Sequence, residues 1–100
     1  MVKHIVMLKL KDEALGASKE ENALKLKESI LVLKDVIEEL KAVEVGFNFN
    51  PSPAAFDVVL YSEYDSKEGL EAFQKHPEHV KVAEFVDEIR TDRVVVDYEV

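Results

Sequence analysis

The chain contains no cysteine. Disulfides, thiolate metal sites and cysteine nucleophiles are thereby excluded, and a reducing compartment suits such a sequence. Glycine is scarce, with three residues scattered along 100, so no glycine-rich loop is present to cradle a phosphate. The serines are Ser18, Ser29, Ser52, Ser62 and Ser66, and none lies in a Gly-x-Ser-x-Gly elbow. None of these patterns asks for a cofactor. Long apolar runs are missing too. Before Lys9 only Ile5-Val6-Met7-Leu8 are continuously apolar, too few for the core of a signal peptide. No run approaches the ~20 residues of a membrane span. Basic residues are outnumbered, 13 Lys and Arg against 21 Asp and Glu, for a net charge of −8. Such a field repels phosphate backbones and anionic lipid headgroups. Neither nucleic acid nor membrane is an expected partner, and the expected location is cytoplasmic.

What is present is ordinary globular material, 47% hydrophobic. Residues 1–100 are enough for one domain with one core. Val2 to Leu10 alternates as a strand. Val2, His4, Val6, Leu8 and Leu10 share one face; Lys3, Ile5, Met7 and Lys9 share the other. Ser18 with Glu21 forms a capping box and predicts a helix from about Lys19 to Lys41. Its apolar seam is Ala23, Leu26, Ile30, Leu33, Ile37 and Leu40, widened by Leu24, Leu31 and Val36. Val43 to Phe49 alternates as a second strand. Asn50-Pro51-Ser52-Pro53 is a turn, and Phe56 to Tyr64 is a third strand with apolar residues on both faces. Asp65 or Ser66 opens the next helix.

Pro77 then interrupts the helical pattern. Proline lacks an N–H and clashes with the preceding turn inside a helix, but it suits a first turn. A short helix through Phe73, a break at His76 and a second helix from Pro77 to Ile89 follow. His79, Val82, Ala83, Val86 and Ile89 fall on one face of that second helix. Arg90-Thr91-Asp92 reads as a turn into a last strand, Arg93 to Val100.

The order β-α-β-β-α-β is the α+β, ferredoxin-like arrangement with an antiparallel sheet. Right-handed crossovers place both helices on one face. The opposite face is expected to show Ile5, Met7, Val95 and residues such as Val59 or Tyr61. That much bare apolar surface predicts a homodimer through the sheet face.

The opening Val2-Lys3-His4-Ile5-Val6, the segment Phe56-Asp57-Val58-Val59-Leu60, the His76-Pro77-Glu78-His79 motif and the ending Val94-Val95-Val96-Asp97-Tyr98 together resemble the stress-responsive A/B barrel (Dabb) family. The resemblance covers essentially the whole chain. It implies a dimeric α+β barrel, two ferredoxin-like protomers with their sheets packed together. Most members of that family have no assigned reaction. One plant branch, similar to olivetolic acid cyclase, closes polyketide chains by an aldol step. There a histidine of the His-Pro-x-His motif is the base, a tyrosine assists it and a strand-one histidine lines the pocket. His79 matches the base and His4 the strand-one histidine. Phe73 stands in place of the tyrosine, and Val58 in place of a further pocket histidine.

Two readings follow. One is a homodimer with a pocket for a small apolar ligand and no assigned reaction. The other is a small enzyme using His79 as a general base in aldol or proton-transfer chemistry, a role suited to a pKa near neutrality. His4, Phe73 and His76 are the expected pocket-lining residues. Each histidine also has a plain structural reading: His79 as a half-buried core group, His4 as a paired strand residue and His76 as a helix-terminal group. Glu78 or Glu84 is the expected carboxylate near His79. No metal site is assigned, because Pro77 spoils helical geometry between His76 and His79.

Overall fold

The computed structural model describes residues Met1–Val100. Strand β1 is Val2–Leu10. A two-residue pair, β2 at Glu13–Ala14 and β3 at Ala17–Ser18, forms a small hairpin. Helix α1 is Lys19–Leu31 and a single helical turn, α2, is Leu33–Val36. Strands β4 (Ala42–Phe47) and β5 (Val58–Tyr64) precede helices α3 (Lys67–Lys75) and α4 (Pro77–Ile89). Strand β6 is Arg90–Glu99. One antiparallel sheet runs β4-β5-β1-β6. The fold is ferredoxin-like, as the order of elements predicts.

The helix starts obey local chemistry. Ser18 accepts the Glu21 N–H while the Glu21 carboxylate accepts the Ser18 N–H, so two orphan donors are satisfied. Ser66 accepts the Gly69 N–H at the head of α3. Pro77 is the first residue of α4, and the His76 ring caps it by accepting the Glu78 N–H at 3.1 Å.

The helix expected to reach Lys41 ends ten residues earlier. Val32, Val36 and Ile37 are β-branched and weaken helical continuation; Ile37 is already extended, with φ −109° and ψ 109°. Leu33, Ile37 and Leu40 are nevertheless buried, so the seam reaches the core without a helix to carry it. Leu24, Leu31 and Val36 do not widen the stripe; all three are exposed. The second strand stops at Phe47, and Phe49 lies fully in solvent. The last strand starts at Arg90, not Arg93, because Leu10 pairs with Arg90 beyond a bulge at Lys9/Leu10. The hairpin between β1 and α1 was not expected. Its turn uses left-handed backbone at Leu15 (φ 53°) and Gly16 (φ 74°), and buried Asn22 fastens it by donating to the Ala14 carbonyl at 3.0 Å.

Register decides which residues share a face. Across β1, Val2, His4, Val6 and Leu8 sit opposite Tyr64, Ser62, Leu60 and Val58 of β5, and these face the helices. On β6 the helix-side partners of His4, Val6 and Leu8 are Asp97, Val95 and Arg93. Val95 therefore belongs to the helix side, contrary to expectation. The outer face carries Ile5, Met7, Val59 and Tyr61 as expected, with Val94, Val96 and Tyr98 beside them. Met7, Val94, Val96 and Tyr98 are all exposed on it. The two ends of the chain meet: the Val100 N–H donates to the Met1 carbonyl at 3.0 Å, and the Met1 amino group to the Val100 carbonyl at 3.2 Å.

Candidate functional site

Between the helices and the sheet lies a cavity of about 330 Å³. Its floor is His4 and Val6 of β1, Val43 of β4, and Leu60 and Ser62 of β5. Its roof is Ile30, Leu40, Phe73 and the α4 residues His79, Val82, Ala83 and Val86. Tyr61 of β5 and the charged residues Asp87, Arg90 and Arg93 complete it. The volume falls within the range of small-ligand sites, and so does the balance of apolar walls with a few polar groups. Phe73 forms part of the wall and leaves the space open.

His79 is held by its own break. Helix α3 ends just before it, so the Gln74 carbonyl has no partner within the helix. The His79 ring turns back and its Nδ1–H donates to that carbonyl at 3.2 Å. This bond selects the tautomer that leaves Nε2 with a free lone pair. The ring also packs against Phe73, with centroids 4.4 Å apart, and Phe73 packs in turn on buried Tyr64 at 5.1 Å. Burial lowers the His79 pKa below its ordinary value; the Gln74 carbonyl opposes this, and the neighbouring His4, Arg93 and His76 reinforce it. At neutral pH His79 is therefore an uncharged imidazole bordering the cavity.

His4 is built the same way from another element. It is buried on β1 directly opposite Asp97 of β6, and its Nδ1 bonds the Asp97 carboxylate. A carboxylate only accepts, so here too Nδ1 carries the proton toward its partner. The Ser62 hydroxyl accepts from the buried Tyr64 hydroxyl at 3.1 Å, and burial pushes the Tyr64 pKa upward, so that phenol stays protonated. A ligand in the cavity would meet apolar walls, two imidazoles and a serine hydroxyl. No group of three or more His, Asp or Glu side chains converges as a metal site would require.

The family model described as the stress responsive A/B barrel domain matches residues 2–100. The chain belongs to that family. The stress-response A/B barrel domain-containing protein DABB1 of Arabidopsis thaliana is 33% identical over 98 residues, which is 98% of this chain and 46% of the relative. A second stress-response A/B barrel domain-containing protein of Arabidopsis thaliana is 32% identical over 99 residues, which is 98% of this chain and 36% of the relative. The chain thus spans less than half of either curated relative. A dimeric ferredoxin-like protein of unknown function from Bacteroides fragilis is 36% identical, with TM-score 0.84 over 99% of this chain and 95% of that one. The hydroxynitrile lyase of Passiflora edulis superposes with TM-score 0.81 over 97% of this chain and 90% of that one, at 22% identity. That last likeness is one of fold alone.

In this A/B barrel domain, His4, Phe73 and His79 border one cavity. His76 does not; its ring is spent on the α4 cap. Neither Glu78 nor Glu84 pairs with His79: Glu78 pairs with Lys81 at 3.2 Å, and the His79 ring bonds the Gln74 carbonyl. Five polar lining or supporting residues do not stand out in the sequence, namely Ser62, Asp87, Arg90, Arg93 and Asp97. The parity of β6 relative to His4 would have found Asp97 and Arg93, had the strand pairing been known.

Proposed function

We propose that this A/B barrel domain works as a homodimer through its outer sheet face, each protomer holding one small, largely apolar molecule in the cavity beneath α4. The observation that carries this reading is an open, mostly apolar space of about 330 Å³ bordered by His79 and His4. The bare outer face and the dimeric Bacteroides fragilis relative support the homodimer. The absence of cysteine goes with a cytoplasmic setting. Nucleic acid and membrane have no part in the reading, given the −8 charge.

A second reading has one specific observation in its favour. With Nδ1 on the Gln74 carbonyl, the free Nε2 lone pair of His79 is a base at the edge of a mostly apolar space, suited to taking a proton from an acidic C–H or O–H of the ligand. Proton abstraction next to a carbonyl, as in an aldol closure, is the reaction class that follows.

The test is a thermal-shift screen of small aromatic and carbonyl compounds. A binder at about 100 times its Kd stabilises the native state by about 2.7 kcal/mol. Compounds that raise the melting temperature of the native chain and leave Ala83→Phe unmoved are the expected result, because Ala83 lines the cavity. A screen with no such compound overturns the ligand reading. For the second reading, hydrogen–deuterium exchange at the acidic carbon of a bound ligand should be lost in His79→Gln while binding persists.

A further inference from the structure

We propose that the molecule in the cavity is a carboxylic acid with an apolar body, its carboxylate held by Arg93 and its far end lying toward His4. This rests on the reading of the cavity as a ligand site. Three charged side chains border the cavity, Asp87, Arg90 and Arg93. Arg90 Nε donates to the Asp87 carboxylate at 3.2 Å, so those two offset each other. Arg93 is left over. It enters no salt bridge and its guanidinium makes no side-chain hydrogen bond with the rest of the chain. A cation with no partner at the edge of an apolar space is the one group there that favours an anion. The guanidinium fork also matches a carboxylate in two parallel hydrogen bonds.

The setting makes this selective. The chain as a whole carries −8 and repels anions at long range. An anionic ligand therefore needs a local cation, and among the lining residues only Arg93 is unmatched. Register fixes the separation of the two ends. Arg93 lies opposite Leu8 and Asp97 opposite His4, four residues apart along β6, or roughly 13 Å of strand at ~3.3 Å per residue. Val6 and Leu60 lie between those ends on the floor, with Val82 and Val86 above. A compact anion such as acetate cannot reach both ends; an acid with a chain or ring behind its carboxylate can.

Octanoate and octan-1-ol share one apolar body and differ in the charged head. Titration calorimetry of both into the native chain at low salt is the experiment. Octanoate is expected to bind about tenfold or more tighter than octanol, the scale of one charge-assisted hydrogen-bonded pair. Added salt should narrow that gap, because Arg93 is exposed. Arg93→Gln should bring octanoate down to the octanol value and leave octanol unchanged. Arg93→Glu should turn the preference toward octylamine. Octanol binding as well as octanoate, or octanoate unaffected by Arg93→Gln, overturns the carboxylate inference and leaves the ligand reading intact. Binding of neither probe overturns both.

Discussion

The two faces of the sheet come from the same strands and end differently. On the helix side, Val2, Val6, Leu8 and Leu10 of β1 are each at most 4% exposed, and the two buried polar residues of the sheet have partners, His4 on Asp97 and Ser62 on Tyr64. On the outer side Met7, Val94, Val96 and Tyr98 are 41 to 51% exposed with nothing of their own chain above them. One hundred residues supply helices for a single face. The covered face can therefore be shaped into a cavity with oriented imidazoles, while the uncovered face has only its apolar surface to offer a second copy. In the function proposed above, the difference separates two tasks: ligand binding on one side, association on the other.

The largest break in that separation is expected from Met7→Asp. A carboxylate in the centre of the outer face is buried unpaired if two sheets meet there, at a cost of roughly 3–5 kcal/mol. Sedimentation should show the dimer falling apart at micromolar concentration, while the cavity side keeps its ligand. A stable dimer of the variant would mean that association uses another surface.

A finer test uses two neighbours. Val95 and Val96 are almost equally exposed, 48% and 51%, yet face opposite ways. Val96→Asp should weaken association by about 1–3 kcal/mol, the cost of burying a poorly partnered polar group. Val95→Asp should leave association unchanged within about 0.5 kcal/mol, as surface substitutions usually do. Equal effects would contradict the assignment of the outer face as the interface.

The smallest effect belongs to His79 and is read through pH. Its folded pKa lies below the ordinary value, so between the unfolded value near ~6.5 and the lower folded value the unfolded chain binds more protons. Stability contributed by the neutral ring is present at pH 7. It declines as pH falls through the unfolded value, and the decline ends below the folded one. Denaturant melts at about pH 7.5 and about pH 5.5 should differ less in His79→Gln than in the native chain. An identical pH dependence in both would remove His79 from the buried, neutral role.

Features that depend on near neighbours in the chain were legible in the sequence alone. The alternation of β1, the Ser18 capping box and the break at Pro77 each rest on a few residues whose local preferences agree. The end of α1 was not legible. Leu33, Ile37 and Leu40 keep helical spacing, but a single turn followed by extended chain buries them just as well. The β2–β3 hairpin is too short to leave a periodic signal. At the site, His4, Phe73 and His79 could be placed near one another from the order of elements and the resemblance. Asp97 and Arg93 could not, since alternation divides β6 into two sets without saying which set faces the helices. That choice is made by pairing with β1, a contact more than 80 residues away in sequence. The tie from His79 to the Gln74 carbonyl is similarly invisible, because it depends on how the chain bends at Pro77.

The paired hydrogen bonds between Met1 and Val100 make the backbone very nearly a ring. A ring has no privileged place to be cut. Joining the two ends and opening the exposed stretch between β4 and β5 would keep every strand in its register, because neither the sheet order nor the helix layer depends on where the chain is interrupted. The same closeness lets a longer polypeptide leave this domain beside the point where it entered, so that neighbouring segments can be added or inserted without prying the sheet apart.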